Sequence, residues 1–323
     1  MVLSLPLILF IVMTELSIGA FAVLFLLDWR NQVKRSFLVT YTFIYVFLTG
    51  LTYLFQQNYS TAALLNSFAL LDKSWTGYLA LPLLLFLLLM VVYTVFLLAD
   101  KKAGVDGKVE GRTIRSRRRM LRLVVGSLTA IAGLTTLFVL GMIYRPLAST
   151  SLAGVFIVAG FFAAALALGG VMTAMWLGHW YLVTPALSEK PLQFAATLVL
   201  LGVLAEAVFA FIGTPSTPAH PQSSSAVTPV VTATVTVAPG STATPTAQVK
   251  PADIPTITPL SVNAIGWLRI LVAFVMPVTL LAFILKLIHD RSFQSATGML
   301  YLVVVLTLAG EAMARGLFLI GLQ

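Results

Sequence analysis

Eight predominantly apolar stretches, at approximately 3–27, 37–56, 77–99, 122–144, 152–182, 192–213, 264–288 and 296–321, dictate what this chain can fold into. Each is of the length, roughly 18 residues or more, with which a helix crosses about 30 Å of hydrocarbon. Lipid offers no hydrogen bonds, so at this apolarity only helices satisfy the backbone of such segments. The reading is an all-α polytopic membrane protein, an eight-helix transmembrane bundle. Composition agrees: 59% of the 323 residues are hydrophobic and only 10% charged, against about 25% charged in soluble domains. The first stretch begins almost at Met1 without a basic n-region or a small-residue cleavage site, the pattern of a retained span and not of a removable signal peptide.

The net charge of +9 does not point to nucleic acid, because the basic residues sort by loop. Arg30, Lys34 and Arg35 follow the first stretch, Lys101 through Arg122 follow the third, Lys190 follows the fifth, and Lys286 and Arg291 follow the seventh. The opposite loops hold few, mainly Lys73, Arg145 and Lys250, with Arg269 just inside a helix start. Under the positive-inside rule the odd-to-even loops are cytoplasmic and both termini extracytoplasmic. The run RSRRRMLR at 115–122 is read as part of that orientation signal, with anionic lipid or a cytosolic protein as its other candidate partner. The chain divides into six spans over 1–213, an extracytoplasmic Ser/Thr/Pro-rich loop over 214–262, and two further spans over 263–323.

Charges inside the spans need an explanation, since each costs about 2.5–3.5 kcal/mol at mid-membrane on insertion scales. LTLAGEAMARGLFLIG at 306–321 carries Glu311 and Arg315, one turn apart on the same helix face. Glu15 lies within the first stretch and Glu206 within the sixth. Counting along the helices at about 1.5 Å per residue puts all three acids near the middle or in the outer half of the bilayer. If their helices touch, three carboxyls meet one guanidinium, and at least one carboxyl lacks a full counter-charge. Proton-coupled chemistry requires such a group. The competing reading is an ion pair that only holds helices together.

The remaining signals are weaker. Cysteine is absent, so any iron–sulfur centre must sit on a partner. The fifth stretch is rich in Gly and Ala, which lets backbones approach closely and places it at the bundle centre. It ends in MWLGHWYLVTP, where Trp176, Trp180 and Tyr181 fit an aromatic belt. His179 in that patch and His289 at the end of the seventh stretch share one side of the membrane; they are either interfacial hydrogen-bonders or axial ligands of one b-type haem. His220 has no visible partner. STAALLNSFALL, between the second and third stretches, is too short to span and is expected to lie along the outer interface as a small helix. The 214–262 loop lacks the apolar content to offset ordering entropy and reads as a tether, unless VVTATVTV adds a strand to a partner's sheet.

Three segments resemble the membrane anchor subunits of dimethyl sulfoxide reductase-type molybdoenzymes, broadly related in function to polysulfide-reductase-type quinol anchors. LAGEAMARGLF at 308–318 is similar to the pattern closing that family's eighth helix, with Glu311 and Arg315 at its charged positions. LPLILFIVMTELSIGAF at 5–21 resembles the opening pattern, with Glu15 where an uncharged polar residue is expected, and WLRILVAFVMPVTL at 267–280 resembles the arginine-started seventh helix. The resemblance implies a subunit that binds menaquinone or another quinone in the plasma membrane of a prokaryote. It would exchange electrons with an iron–sulfur subunit and, through it, with a catalytic subunit. Glu311, Arg315, Glu206 and Glu15 would then form the proton and quinone cluster, and the chain would be a quinone-site or non-catalytic part of an oxidoreductase. The alternatives are a b-haem electron-transfer subunit using His179 and His289, a secondary transporter or channel with the acids as coupling sites, or an accessory subunit whose charges only pack helices.

Overall fold

A computed structural model describes residues 4–101, 103–105, 108–109, 112–113, 117–148, 150–183, 188–212 and 267–320. Eight helices among these are long and apolar enough to cross a membrane, as expected of a multi-pass membrane protein. In chain order they are Ser4–Trp29, Arg35–Tyr59, Ala80–Ala99, Arg117–Tyr144, Ser151–Val183, Lys190–Ile212, Trp267–His289 and Phe293–Ile320, called here the first to eighth spans. The 214–262 loop, with His220 and VVTATVTV, lies outside the described residues.

The first and fifth spans form the middle of the bundle. The first packs on the second, fourth, fifth and eighth; the fifth packs on the first, fourth, sixth and eighth. The third span closes one flank against the second and fourth, and the seventh closes the other against the sixth and eighth. Enclosure follows this order: 78% of the first span's apolar window is buried, against 28% in the sixth and seventh, whose outer faces are left to lipid.

Small residues set the central crossing. A methyl group at Gly19 would overlap the Ala165 carbonyl, and one at Gly169 would overlap the backbone of Gly19 and Ala20. The two helices therefore touch backbone to backbone, which maximises dispersion contact where lipid supplies no hydrophobic drive for association. Gly202 brings the sixth span against the backbone of Ala167, less closely, with a methyl group there falling 2.7 Å from the Ala167 nitrogen.

The seventh span begins irregularly. Ile270–Val275 is π-helical and leads into regular helix at Met276–His289. Pro277, in the first turn of that helix, has no N–H to give to the carbonyl four residues back, and its ring crowds that carbonyl, so the turn before it widens. Ala273 in the widened turn packs against Gly310 of the eighth span.

The connector between the second and third spans holds a small helix where one was expected, within STAALLNSFALL. That helix is a single turn, Ala62–Leu65, and a second turn follows at Lys73–Thr76; they are started by the side chains of Thr61 and Asp72 accepting from Leu64 and Ser74 N–H groups. Leu65, Leu71 and Leu79 are buried, and Asp72 N–H donates to the Ile143 carbonyl at 3.0 Å. The segment is thus held at the end of the fourth span by Leu65, Leu71 and this hydrogen bond, while Leu70 stays exposed.

Candidate functional site

The eighth span brings two of the intramembrane charges together by its own geometry. Arg315 and Glu311 are one turn apart, and the Arg315 Nη2 lies 2.6 Å from Glu311 Oε1. The same nitrogen donates to Glu15 Oε1 on the first span. All three residues are buried, with Glu15 at 0% and Arg315 at 5% exposure. The Arg315 guanidinium also stacks 4.0 Å from the ring centroid of Phe161 on the fifth span, a cation–π contact that replaces lost hydration. One arginine therefore ties three spans together.

Glu206 reaches the cluster from the sixth span, within interaction range of Glu311 and of Arg315. Unlike the other two acids it is only half-buried. Arg269, half-buried at the start of the seventh span, lies in charge range of Glu206 and Glu311 and 5.6 Å from the ring of Phe274. The site is graded. Glu15, Glu311 and Arg315 form its closed centre, and Glu206 and Arg269 form a rim on the side of the sixth and seventh spans.

Depth follows from helix counting. At about 1.5 Å per residue, Glu15 is about 16 Å from Ser4, Glu311 about 14 Å from Ile320, and Glu206 about 9 Å from Ile212. Those three helix ends belong to one side of the bundle. The acids expected to meet do meet, in the half nearer the start of the first span.

No protein-family model, curated protein or solved structure matches this chain. The site must therefore be read from its own chemistry. Three carboxyl groups face two guanidinium groups, so one bound proton brings the cluster to charge balance, and removing an arginine would leave carboxylates uncompensated in a medium where that is costly.

Two members were not singled out by sequence. Arg269 was visible only as a basic residue at a helix start; the widened turn at 270–275 shapes its approach to the cluster. Tyr144, the last residue of the fourth span, is 1% exposed and stacks on Phe161 at 5.8 Å, beside the Arg315–Glu15 pair. An aromatic residue at a span end normally reads as an interfacial anchor, which masks this placement.

The histidines do not form a comparable site. His179 and His289 are both exposed. Trp176 and Trp180, a turn apart in the same patch, instead pack against the second span, with ring centroids 5.2 Å from Tyr41 and 5.8 Å from Phe37. Among the described residues no group of three or more His, Asp or Glu suited to a metal occurs.

At the opposite end of the bundle one residue of the basic run, Arg122, is turned inward. Arg122, read with RSRRRMLR as an orientation or lipid-facing signal, is 0% exposed. Its Nε and Nη2 donate to the two carboxylate oxygens of Asp28 at 3.0 and 2.9 Å, and its Nη1 donates to Asp100 at 2.7 Å. Tyr93 adds a hydrogen bond to Asp28 at 2.7 Å. The helix starts at Arg117, a turn earlier than its apolar content suggests, and this carries Arg122 inside. Arg35 completes the lock by donating to the carbonyls of Leu98 at 2.9 Å and Asp100 at 3.1 Å. The opposite charges at the ends of the first, third and fourth spans were legible, but their convergence was not.

Proposed function

We propose that this chain is the quinone-binding membrane subunit of a respiratory oxidoreductase in a prokaryotic plasma membrane, anchoring an iron–sulfur subunit and through it a catalytic subunit. The cluster of Glu15, Glu206, Glu311 and Arg315 exchanges the protons that accompany quinone chemistry. One observation carries the reading: a carboxyl-rich cluster, closed at its centre and partly open at Glu206 and Arg269 toward the flank where the least enclosed spans meet lipid. A lipid-soluble quinol approaches from that flank. Its oxidation releases two protons with two electrons, so a group able to accept protons must stand beside the ring. A carboxyl among three, with arginines fixing its neighbours, is suited to that task.

The chain's residues divide the work. Arg315 holds Glu15 and Glu311 in place, Glu311 faces both the centre and Glu206, and Glu206 with Arg269 lines the approach. The quinone supplies the electron chemistry when bound. With no cysteine in the chain, electrons leave to an iron–sulfur partner.

Purification of the native complex with metal and quinone analysis tests the assignment. Co-purifying iron–sulfur protein and bound quinone are expected, and their absence from an intact, active complex would sink it. Within the complex, Glu311→Gln is expected to depress quinol-linked turnover without loss of assembly, whereas unchanged turnover would remove the proton role.

A further inference from the structure

Several buried polar atoms in and beside the cluster make no hydrogen bond among the described residues, among them the Glu15 Oε2 and the Tyr144 hydroxyl, with Glu311 Oε1 and Arg269 Nε close by. Glu15 and Tyr144 are fully enclosed, with Glu15 at 0% and Tyr144 at 1% exposure. Orphaned buried polar atoms are uncommon, and where two stand together a bound water is the usual partner. Tyr144 lies on Phe161, Phe161 carries the guanidinium that grips Glu15, and Tyr144 is within charge range of both Arg315 and Glu15.

Tyr144 is also buried directly beside a place where the chain reaches the surface. The next residues, Arg145 and Pro146, are partly or fully exposed, and the turn Arg145–Leu147 leads to the start of the fifth span. Around the Glu206 rim, by contrast, the exposed neighbours are Leu204 and Val208, a lipid-facing surface that does not conduct protons. The site thus has a lipid-side opening at Glu206 and Arg269, and a closed polar end at Tyr144 near the chain's surface.

We infer that Tyr144 is the proton relay of this site, joined to Glu15 Oε2 by one internal water and passing protons to the surface at Arg145 and Pro146. The inference rests on the proton-exchanging reading of the cluster and assigns its route. In the transfer, the Glu15 carboxyl gives its proton to the water oxygen. The water gives one of its own to the Tyr144 oxygen, and the Tyr144 hydroxyl proton passes to solvent water at the exposed Arg145–Pro146 surface. The water and Tyr144 oxygens each gain and lose one proton, Glu15 is left as a carboxylate until a proton released at the cluster restores it, and no redox partner is involved. The hydroxyl is suited to this because it donates and accepts at once. The neighbouring Arg145 lies on the outward side of the relay, and Arg315 with Glu15 and Glu311 on its inner side.

The test is infrared spectroscopy of the full chain in lipid nanodiscs, following the protonated-carboxyl C=O band after exchange from H2O into D2O. Tyr144→Phe keeps the ring on Phe161 and removes only the unpartnered hydroxyl. The band is expected to persist in this variant and to exchange about a hundredfold more slowly, the lower end of what a positioned proton-transfer group contributes. Tyr45→Phe, whose hydroxyl bonds Thr173 at 2.9 Å elsewhere in the bundle, is expected to exchange at the wild-type rate. A Tyr144→Phe band that exchanges at the wild-type rate overturns the relay while leaving the cluster intact. A wild-type protein with no protonated-carboxyl band overturns the relay together with the proton-exchanging role of the cluster.

Discussion

Arg315 of the eighth span and Phe161 of the fifth face each other at 4.0 Å, cation over ring, with Glu15 of the first span gripping the same guanidinium from another side. Through this contact the helix bearing the site is held to the two helices at the bundle centre. The arginine thus combines two tasks that sequence alone presents as one charged residue: compensating carboxylates and fastening spans.

That double role predicts the outcome of removing it. Arg315→Ala leaves Glu15 and Glu311 without their shared partner, and breaking a buried pair typically costs about 3–5 kcal/mol. Loss of assembly or a large fall in thermal midpoint is expected on fluorescence-detected chromatography of the detergent-solubilised protein. Adding Glu15→Gln to Arg315→Ala should recover part of the loss, and a double variant no better than the single one would contradict a direct pair.

The lock at the other end should behave differently from a lipid-facing basic run. Arg122→Lys keeps the charge but cannot form the fork to Asp28 while also reaching Asp100. A loss of about 2–4 kcal/mol is expected in reversible denaturant unfolding, comparable with truncating a hydrogen-bonded buried charge. Changing Arg117 in the same run, which is exposed, should alter stability little.

The glycine crossing gives a contrast within one residue type. Gly19→Ala and Gly169→Ala place a methyl group into facing backbone, which cannot move aside, so destabilisation of about 1–3 kcal/mol or failure to accumulate is expected. Gly160→Ala on the same span meets nothing within 4 Å. There the gain in helix propensity should leave the melting midpoint unchanged or slightly raised. Equal effects at all three positions would dismiss the close approach.

The haem alternative is open to a direct check. His179→Ala and His289→Ala are expected to leave the absorption spectrum of the purified chain unchanged and without a Soret band, since both imidazoles lie on exposed surface. A Soret band lost on changing either histidine would restore that reading.

Hydropathy and charge placement by themselves determined the eight spans, the small-residue centre and the presence of three acids and an arginine at similar depth. Each of these follows from local properties: a span must be apolar over its whole length, and a helix fixes the spacing of Glu311 and Arg315 whatever surrounds it. Only tertiary structure decided which charges meet. Glu15 and Arg315 are at opposite ends of the chain, and their pairing depends on how the first and eighth spans rotate about their axes, which apolar patterning does not specify when lipid and neighbouring helices are equally apolar. The same freedom hid the burial of Arg122 and the inward turn of Tyr144, two residues at span ends whose sequence context is that of the membrane surface. Where a solvent face and a core face share the same residue types, contact between helices must be seen before a charge can be given its partner.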